Sequence, residues 1–260
     1  MTDQSPLHAQ NPTGRFSDRV RDYRLYRPTY PGAAIDTVLD GLGPPSELIA
    51  ADVGAGTGIS SRLLAARGVR VLAIEPNDAM RAEGAAASHA GPGRIEWFNC
   101  TAEQTGLADA SVGLVLCAQA FHWFRPEAAL SEFARVLRPR GRVVLVWNDR
   151  DERDGFTRGY GELIVEASGR NPAAISHTRP EPLLASPLFS GARRLEFTHA
   201  QRLDENGLVG RALSASYVPN AGPAREQLER DLRALHRAYA ANDGAAELRY
   251  VTRVFLAERA

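Results

Sequence analysis

Residues 51–60 read ADVGAGTGIS, an apolar run that breaks into three glycines set one residue apart. Glycine lacks a β-carbon, so a chain that turns sharply from a strand into a helix, or brings its backbone against a ligand, uses it there. Gly54, Gly56 and Gly58 meet that need between LIAADV (48–53), which reads as a buried strand, and ISSRLLAAR (59–67), which reads as a helix. The dinucleotide fingerprint G-x-G-x-x-G/A requires a small third residue at position 59, where this chain carries the β-branched Ile59. A nicotinamide dinucleotide therefore fits the turn poorly.

The next apolar run, VRVLAIE (69–75), ends in Glu75, 23 positions after Asp52. A carboxylate at that strand end accepts hydrogen bonds from both hydroxyls of a ribose; taken alone it is also what an exposed strand end looks like. Asp52, directly before the glycines, suits a ligand that offers an ammonium group and lacks a pyrophosphate. S-adenosylmethionine is such a ligand.

Outward from this point, strand-length apolar runs alternate with amphipathic stretches, the pattern of a parallel sheet covered by helices. RIEWFN (94–99), SVGLVLCAQ (111–119) and GRVVLVWN (141–148) bring the strands to five before residue 149. Helices are expected over AMRAEGAAASHA (79–90) and PEAALSEFARVL (126–137), the latter with Leu130, Phe133, Ala134 and Leu137 on one face. Further on, RRLEFTHAQRL (193–203) and LRYVTRVFLAER (248–259) read as two more strands, with helices over ENGLVGRALSA (205–215) and AREQLERDLRALHRAYA (224–240) between them. Pro172, Pro180, Pro182 and Pro187 make 170–190 a loop-rich insert. No repeat or linker divides the chain, so a single domain is expected.

Composition narrows the function classes. Thirty-one basic and thirty-one acidic side chains cancel, so no global field draws the protein to nucleic acid or an anionic bilayer, and small-molecule partners are expected. Every basic residue of that count is arginine. That excludes Schiff-base lysines, phosphate-loop lysines and Tyr-x-x-x-Lys proton relays. Cys100 and Cys117 each sit in a strand-like run, which suits reduced, buried thiols and a cytoplasmic location. The start of the chain has no signal-peptide core, and no run of eighteen apolar residues occurs, so no membrane segment is expected.

Two further stretches carry candidate chemistry. QAFHWF (119–124) closes the fourth strand: Phe121 and Phe124 read as an apolar seal, whereas Gln119 and His122 are less easily explained by packing. A histidine there orients or deprotonates an acceptor hydroxyl, or is simply a satisfied core residue; an aromatic face such as Trp123 steadies a sulfonium. RFSDRVRDYRLYRPTYP (15–31) places Phe16, Val20, Tyr23 and Arg27 near helical spacing before Pro28 interrupts it, which reads as a lid or an ordinary capping helix.

With these residues in view, the chain resembles the class I S-adenosylmethionine-dependent methyltransferases, in the small-molecule branch called methyltransferase type 11. The resemblance covers 16–148 and rests on DVGAGTG (52–58), AIEPNDAM (73–80), CTAEQTGLADASVGLVLCAQAFHWF (100–124) and RVLRPRGRVVLVW (135–147). It implies an α/β, Rossmann-like, doubly wound, seven-stranded and mostly parallel sheet whose last strand is antiparallel, with an N-terminal helical lid and a helical insert between the late strands. The expected division is a tail and lid over 1–45, a cofactor-binding core over 46–148, and substrate-side helices with the last two strands over 149–260. S-adenosylmethionine, leaving as S-adenosylhomocysteine, would lie over the strand ends.

The resemblance also assigns positions. The backbone from Gly54 through Ala55 to Gly56 would line the methionine moiety, with Asp52, Thr57 and Gly58 also in the cofactor set, Glu75 would hold the ribose, and Pro76 and Met80 would border the adenine. Thr101, Ala102 and Glu103 would meet the adenine edge; many relatives carry an aspartate where Thr101 stands, so its hydroxyl or the Ala102 amide would substitute. Tyr23, Arg27 and Gln119 complete the cofactor set, and Tyr26, Trp123, Trp147, Asn148 and Tyr217 are candidates for the acceptor side, with His122 and Gln119 as candidate catalytic groups. Methyl transfer from a sulfonium is a direct displacement and requires no metal. A nicotinamide oxidoreductase and a non-catalytic adenosine-binding relative are the competing readings. Nucleic-acid methylation is disfavoured by the absence of a basic stripe or a base-flipping motif. The acceptor, and whether the protein is a monomer or a homodimer, stay open at this level.

Overall fold

In the computed structural model, which describes residues 20–169, 178–215 and 217–260, seven strands form one sheet. They are β1 (Ile49–Val53), β2 (Arg70–Ile74), β3 (Arg94–Phe98), β4 (Val112–Ala118), β5 (Leu137–Arg150), β6 (Phe189–Leu203) and β7 (Ala246–Arg259), in the spatial order β3-β2-β1-β4-β5-β7-β6. Neighbours among β1 to β5 pair parallel, and β7 runs antiparallel to both β5 and β6. The strand order reverses between β1 and β4, which opens a crevice at their carboxyl ends.

Alternate strand residues feed opposite faces. Ala51, Val53, Ile74, Val115, Cys117 and Leu145 pack on α5 (Pro126–Val136) through Leu130 and Phe133. Ala50, Val71, Leu114, Leu116, Val144 and Leu256 meet α2 (Gly32–Leu39) and α3 (Ile59–Ala65) through Ile35, Val38 and Leu64. Both faces of β1 and β4 are buried, which is why these strands read as unbroken apolar runs. β6 alternates exposed and half-buried residues, as an edge strand does, and its arginines Arg193, Arg194 and Arg202 are exposed. α4 (Asp78–Ala86) rides over Trp97 of β3, at Gly84, where a β-carbon would fall 2.3 Å from the indole.

A third cluster joins α6 (Gly155–Ser168), α8 (Glu205–Leu213) and α9 (Pro223–Tyr239) to the end of β6 and the start of β7. Because β7 is antiparallel, its first residues lie beside the carboxyl end of β5, with Arg150 opposite Tyr250. The helical insert therefore stands at the same edge of the sheet as the crevice. α1 (Val20–Tyr26) packs against α8 and α4 and spans the two.

The sequence-level outline differs from the structure in four places. α2 and α6 were not anticipated, and α2 belongs to the sheet's covering layer: Ile35 and Val38 are fully buried. β5 begins at Leu137 rather than at Gly141, its extra residues entering through a shift of register between Val112 and Leu114, with Arg140 at φ 61°. The stretch expected to be loop-rich carries a one-turn helix, α7 (Glu181–Leu184), and the first residues of β6. Phe16, the rest of 1–19, and Pro172 lie outside the described residues. Among the described residues no helix is long and apolar enough to cross a membrane, and no group of three His, Cys, Asp or Glu could hold a metal ion.

Candidate active site

An open cleft sits over the ends of β1, β2 and β4. Its floor is the turn from β1 into α3, where Gly54, Gly56 and Gly58 take φ values of 72°, 57° and 78°. At Gly54 the need for glycine is also steric, because a β-carbon would stand 2.5 Å from Ala120 Cβ. At Gly56 the nearest atom to such a carbon is Met80 Cε, 3.6 Å away, so only the backbone conformation demands glycine.

The turn is braced by the strand beside it. The Gly54 and Ala55 amides donate to Ile74 O, and the Gly56 amide donates to Glu75 Oε2 at 2.8 Å. The other oxygen of Glu75 accepts from the Asn77 amide at 2.8 Å. Burial raises the Glu75 pKa above the usual carboxylate value, with the Asn77 and Gly56 amides and the Arg81 guanidinium opposing. Each carboxylate oxygen has two lone pairs, so two amides leave two acceptor positions on the cleft wall.

Around this carboxylate the lining is mostly apolar. Pro76, Asn77 and Met80 come from the start of α4, whose N-terminus is capped by Asn77 Oδ1 accepting from the Met80 amide. Thr101, Ala102 and Glu103 come from the loop after β3, and Glu103 Oε1 accepts from the Arg125 amide at 2.9 Å. Ala118, Gln119 and Ala120 close β4, followed by Trp123, Phe124 and Arg125. Gln119 is a non-glycine residue at φ 56°, a conformation held by its amide donating to Val146 O and its side chain donating to Asn148 O. Tyr23 reaches the cleft from α1.

The structure thus gathers Tyr23, Gly54, Gly56, Glu75, Pro76, Met80, Thr101, Ala102, Glu103, Gln119 and Trp123 along one wall-and-floor surface. Other residues named from the sequence lie outside that lining. Asp52 is buried beneath the turn, where its Oδ2 accepts from Ser60 Oγ and Ser61 Oγ at 2.7 and 2.5 Å and tethers the first turn of α3. Burial raises its pKa against those two hydroxyls. Thr57 is fully buried, Ala55 is committed to Ile74, and Gly58 caps α3 against Trp97.

His122 sits in a short 3-10 turn (Phe121–Trp123) outside the lining, its Nδ1 accepting from Trp147 Nε1 at 3.4 Å. Trp147 itself is 1% exposed and packs edge-on to Phe255, in the core. Asn148 donates to Thr29 O and accepts from Thr252 Oγ1, tying the segment after α1 to the sheet. Tyr26 lies against Gly210 of α8, where any β-carbon would fall 2.2 Å from its ring, and Gln201 donates to its carbonyl. Arg27 stacks over the Tyr23 ring at 4.7 Å and donates to Ser214 O. Tyr217 stands with Arg150 and Arg211 beyond Arg27.

Asn77, Ala118, Ala120, Phe124 and Arg125 line the cleft without having been assigned to it from the sequence. Asn77 was legible as a helix cap ahead of α4. Arg125 had no local signal, since its place follows from Glu103 on another loop.

Comparison with known proteins agrees with this geometry. A family profile described as "Methyltransferase domain" matches residues 51–145. The chain is 38% identical over 248 residues to an uncharacterised methyltransferase of Mycobacterium tuberculosis (strain H37Rv), covering 91% of this chain and 92% of that one. A provisionally named type II methyltransferase of Anaeromyxobacter dehalogenans has a solved structure that superposes with a TM-score of 0.61 at 26% identity, over 90% of this chain and 97% of that chain. Geranyl diphosphate C-methyltransferase of Streptomyces coelicolor A3(2), solved with S-adenosyl-L-homocysteine, shares the fold at a TM-score of 0.51 and 16% identity, over 99% of each chain. The glycine turn, the carboxylate at the end of β2 and these relatives converge: this chain belongs to the class I S-adenosylmethionine-dependent methyltransferase family.

Proposed function

We propose that the protein transfers a methyl group from S-adenosylmethionine to a small-molecule acceptor by direct displacement. The observation that carries this is Glu75, a carboxylate on the cleft wall whose oxygens are oriented by the Gly56 and Asn77 amides and keep two acceptor positions for vicinal hydroxyls. When bound, the cofactor supplies an electrophilic methyl carbon on a positively charged sulfur.

The chain's own residues then position the partners and exclude water. Glu75 accepts from the ribose hydroxyls, and Gly54 and Gly56 let the ligand approach the backbone where a side chain would intrude. Met80 and Pro76 would pack on the adenine, while Thr101, Ala102 and Glu103 would meet its edge. Tyr23 covers the cleft from α1, and Gln119, fixed in a left-handed conformation by its bond to Asn148 O, would hold the side of the cleft nearest the end of β5. The new bond would form from an acceptor lone pair to the methyl carbon as the carbon–sulfur bond broke and its electron pair left with sulfur. Alignment of this kind is worth on the order of 7 to 11 kcal/mol. His122, bonded to Trp147 and outside the lining, acts by holding the loop after β4 rather than by taking a proton.

Calorimetry with S-adenosylhomocysteine, followed by transfer of a labelled methyl group to a metabolite mixture, tests this. Saturable binding and a labelled small-molecule product are expected. Binding of NADH without binding of either adenosyl ligand would overturn the cofactor assignment, and binding without any labelled product would leave a non-catalytic relative.

A further inference from the structure

The acceptor side holds a concentration of positive charge that the methyl-transfer reading does not use. Arg150 leaves the carboxyl end of β5 opposite Tyr250, Arg211 lies on α8 over the Tyr250 ring, and Arg27 follows α1 and shares Ser214 with Arg211; all three act on the phenol of Tyr217. Arg211 is 6% exposed, its Nε donating to Tyr250 OH at 3.0 Å and its Nη1 reaching Ser214 Oγ at 3.5 Å. Arg27 donates to Ser214 O. Among the described residues the Nε atoms of Arg27 and Arg150 are buried and have no hydrogen-bond partner.

Among the described residues neither Arg27 nor Arg211 is within ion-pair distance of a carboxylate, and Arg150 has only the largely exposed Glu152, 3.7 Å away. The partners are phenols, a hydroxyl and a carbonyl. Burial alone would raise the Tyr217 pKa, yet the Arg150, Arg211 and Arg27 guanidiniums outweigh it and hold the phenol below its usual value. A fold does not bury guanidiniums with unsatisfied N–H groups and no counter-charge without cost. Guanidinium forks match the planar or tetrahedral oxygens of carboxylate and phosphate.

We propose that Arg27, Arg150 and Arg211 form a seat for anionic oxygens, carboxylate or phosphate, of the methyl acceptor. The seat adjoins the donor site on two sides: Arg27 stacks on the cleft-lining Tyr23, and cleft-lining Gln119 bonds to Asn148, two residues before Arg150 on β5. An acceptor held there by its charge would present a second group towards the methyl carbon. This deepens the methyl-transfer reading and rests on it.

The test is calorimetric titration of the full chain with citrate and, separately, with inorganic phosphate, at fixed ionic strength, with and without S-adenosylhomocysteine. At least one anion should bind saturably; citrate alone would mark a carboxylate acceptor and phosphate alone a phosphorylated one. Arg150→Gln should weaken that binding at least about tenfold, while Arg202→Gln, an equal charge change on the exposed edge strand, should leave it as in the wild type. Arg27→Gln tests the same seat independently should Arg150→Gln fail to fold. Wild-type protein that binds neither anion, or seat variants that bind as the wild type does, would overturn the proposal. S-adenosylhomocysteine binding measured in the same titrations reports separately on the cofactor reading.

Discussion

The two halves of the sheet's carboxyl edge are built on different principles. At the ends of β1, β2 and β4 the recognition surface is mostly backbone and apolar side chains around the carboxylates of Glu75 and Glu103, which accept from neighbouring amides. At the end of β5 and the start of β7 it is long charged side chains gathered from the end of α1, β5 and α8, with guanidinium N–H groups left over among the described residues. The donor half is thus pre-formed, whereas the acceptor half waits for charge. A family that keeps one methyl donor and changes acceptors gains from that division, because side chains are exchanged more readily than a backbone turn.

The largest effect is expected from Glu75→Ala, which removes two charge-assisted acceptor positions worth about 1.5 to 3 kcal/mol each and leaves the Gly56 and Asn77 amides unpaired. S-adenosylhomocysteine affinity, read by calorimetry, should fall by about 10² or more with the fold retained. Wild-type Glu75 also fixes a pH dependence. Its pKa in the free protein is raised, and hydroxyl donors favour the charged form, so affinity is full above that raised pKa and weakens as pH falls through it. Affinity that is flat down to the ordinary carboxylate range would contradict the assignment.

Next comes Gly54→Ala, whose β-carbon meets Ala120 Cβ at 2.5 Å in a left-handed backbone. A loss of about 2 to 3 kcal/mol is expected in denaturant unfolding. Gly56→Ala, with 3.6 Å to spare, should cost only the backbone term of about 1 to 2 kcal/mol. Equal losses would mean that packing does not decide the turn.

Glu132→Gln probes the scaffold beneath the donor half. Glu132 is held by the Thr105 amide and hydroxyl and by Arg135, and although burial pushes its pKa up, these partners bring it down to about 2. A depressed carboxylate stabilises the fold above the unfolded pKa of about 4.3 and loses that contribution as pH falls towards 2. The variant should therefore be less stable by about 1 to 3 kcal/mol at neutral pH, with the gap closing in acid. A gap independent of pH would assign the effect to packing.

Smaller still is the response of α1. If Tyr23 closes the cleft, backbone amides of Val20–Tyr26 should gain about tenfold protection from hydrogen exchange when S-adenosylhomocysteine binds. Unchanged exchange would reduce α1 to a strut between α4 and α8. The smallest effect is expected from His122→Phe. Cofactor affinity and turnover should stay within about threefold, because the ring faces Trp147; a loss of 10² to 10⁴ in turnover would restore it as a general base.

Legibility in the sequence followed the same division. Gly54, Gly56 and Glu75 are readable because β1 and β2 are buried on both faces, so their apolar runs stop visibly at residues that line the cleft. Asp52 was read as a ligand group because a sequence shows a carboxylate at a strand end but not which way the pleat sends it; it faces Ser60 and Ser61. α2 was hidden by Pro28 and Pro31 around its start, although Ala34, Ile35, Val38 and Leu39 carry a helical spacing. α6 was missed despite Phe156, Tyr160 and Ile164 at four-residue steps, since its three glycines mask the pattern. Arg27, Arg150 and Arg211 had no local signature at all: their meeting depends on the antiparallel return of β7 and on α8 lying under α1.

The placement of β7 between β5 and β6 has a consequence for how the chain is made. β6, at 189–203, emerges from a ribosome well before β7 (Ala246–Arg259), its sheet neighbour among the described residues, and is separated from β5 by that strand. Until the later strand arrives, β5 presents an unpaired edge, and β6 has no ladder to join. The donor half can therefore assemble during synthesis, while the acceptor half is completed last, through long-range contacts that close slowly. During that interval the exposed arginines of β6 are what discourages the waiting strand from pairing with another chain.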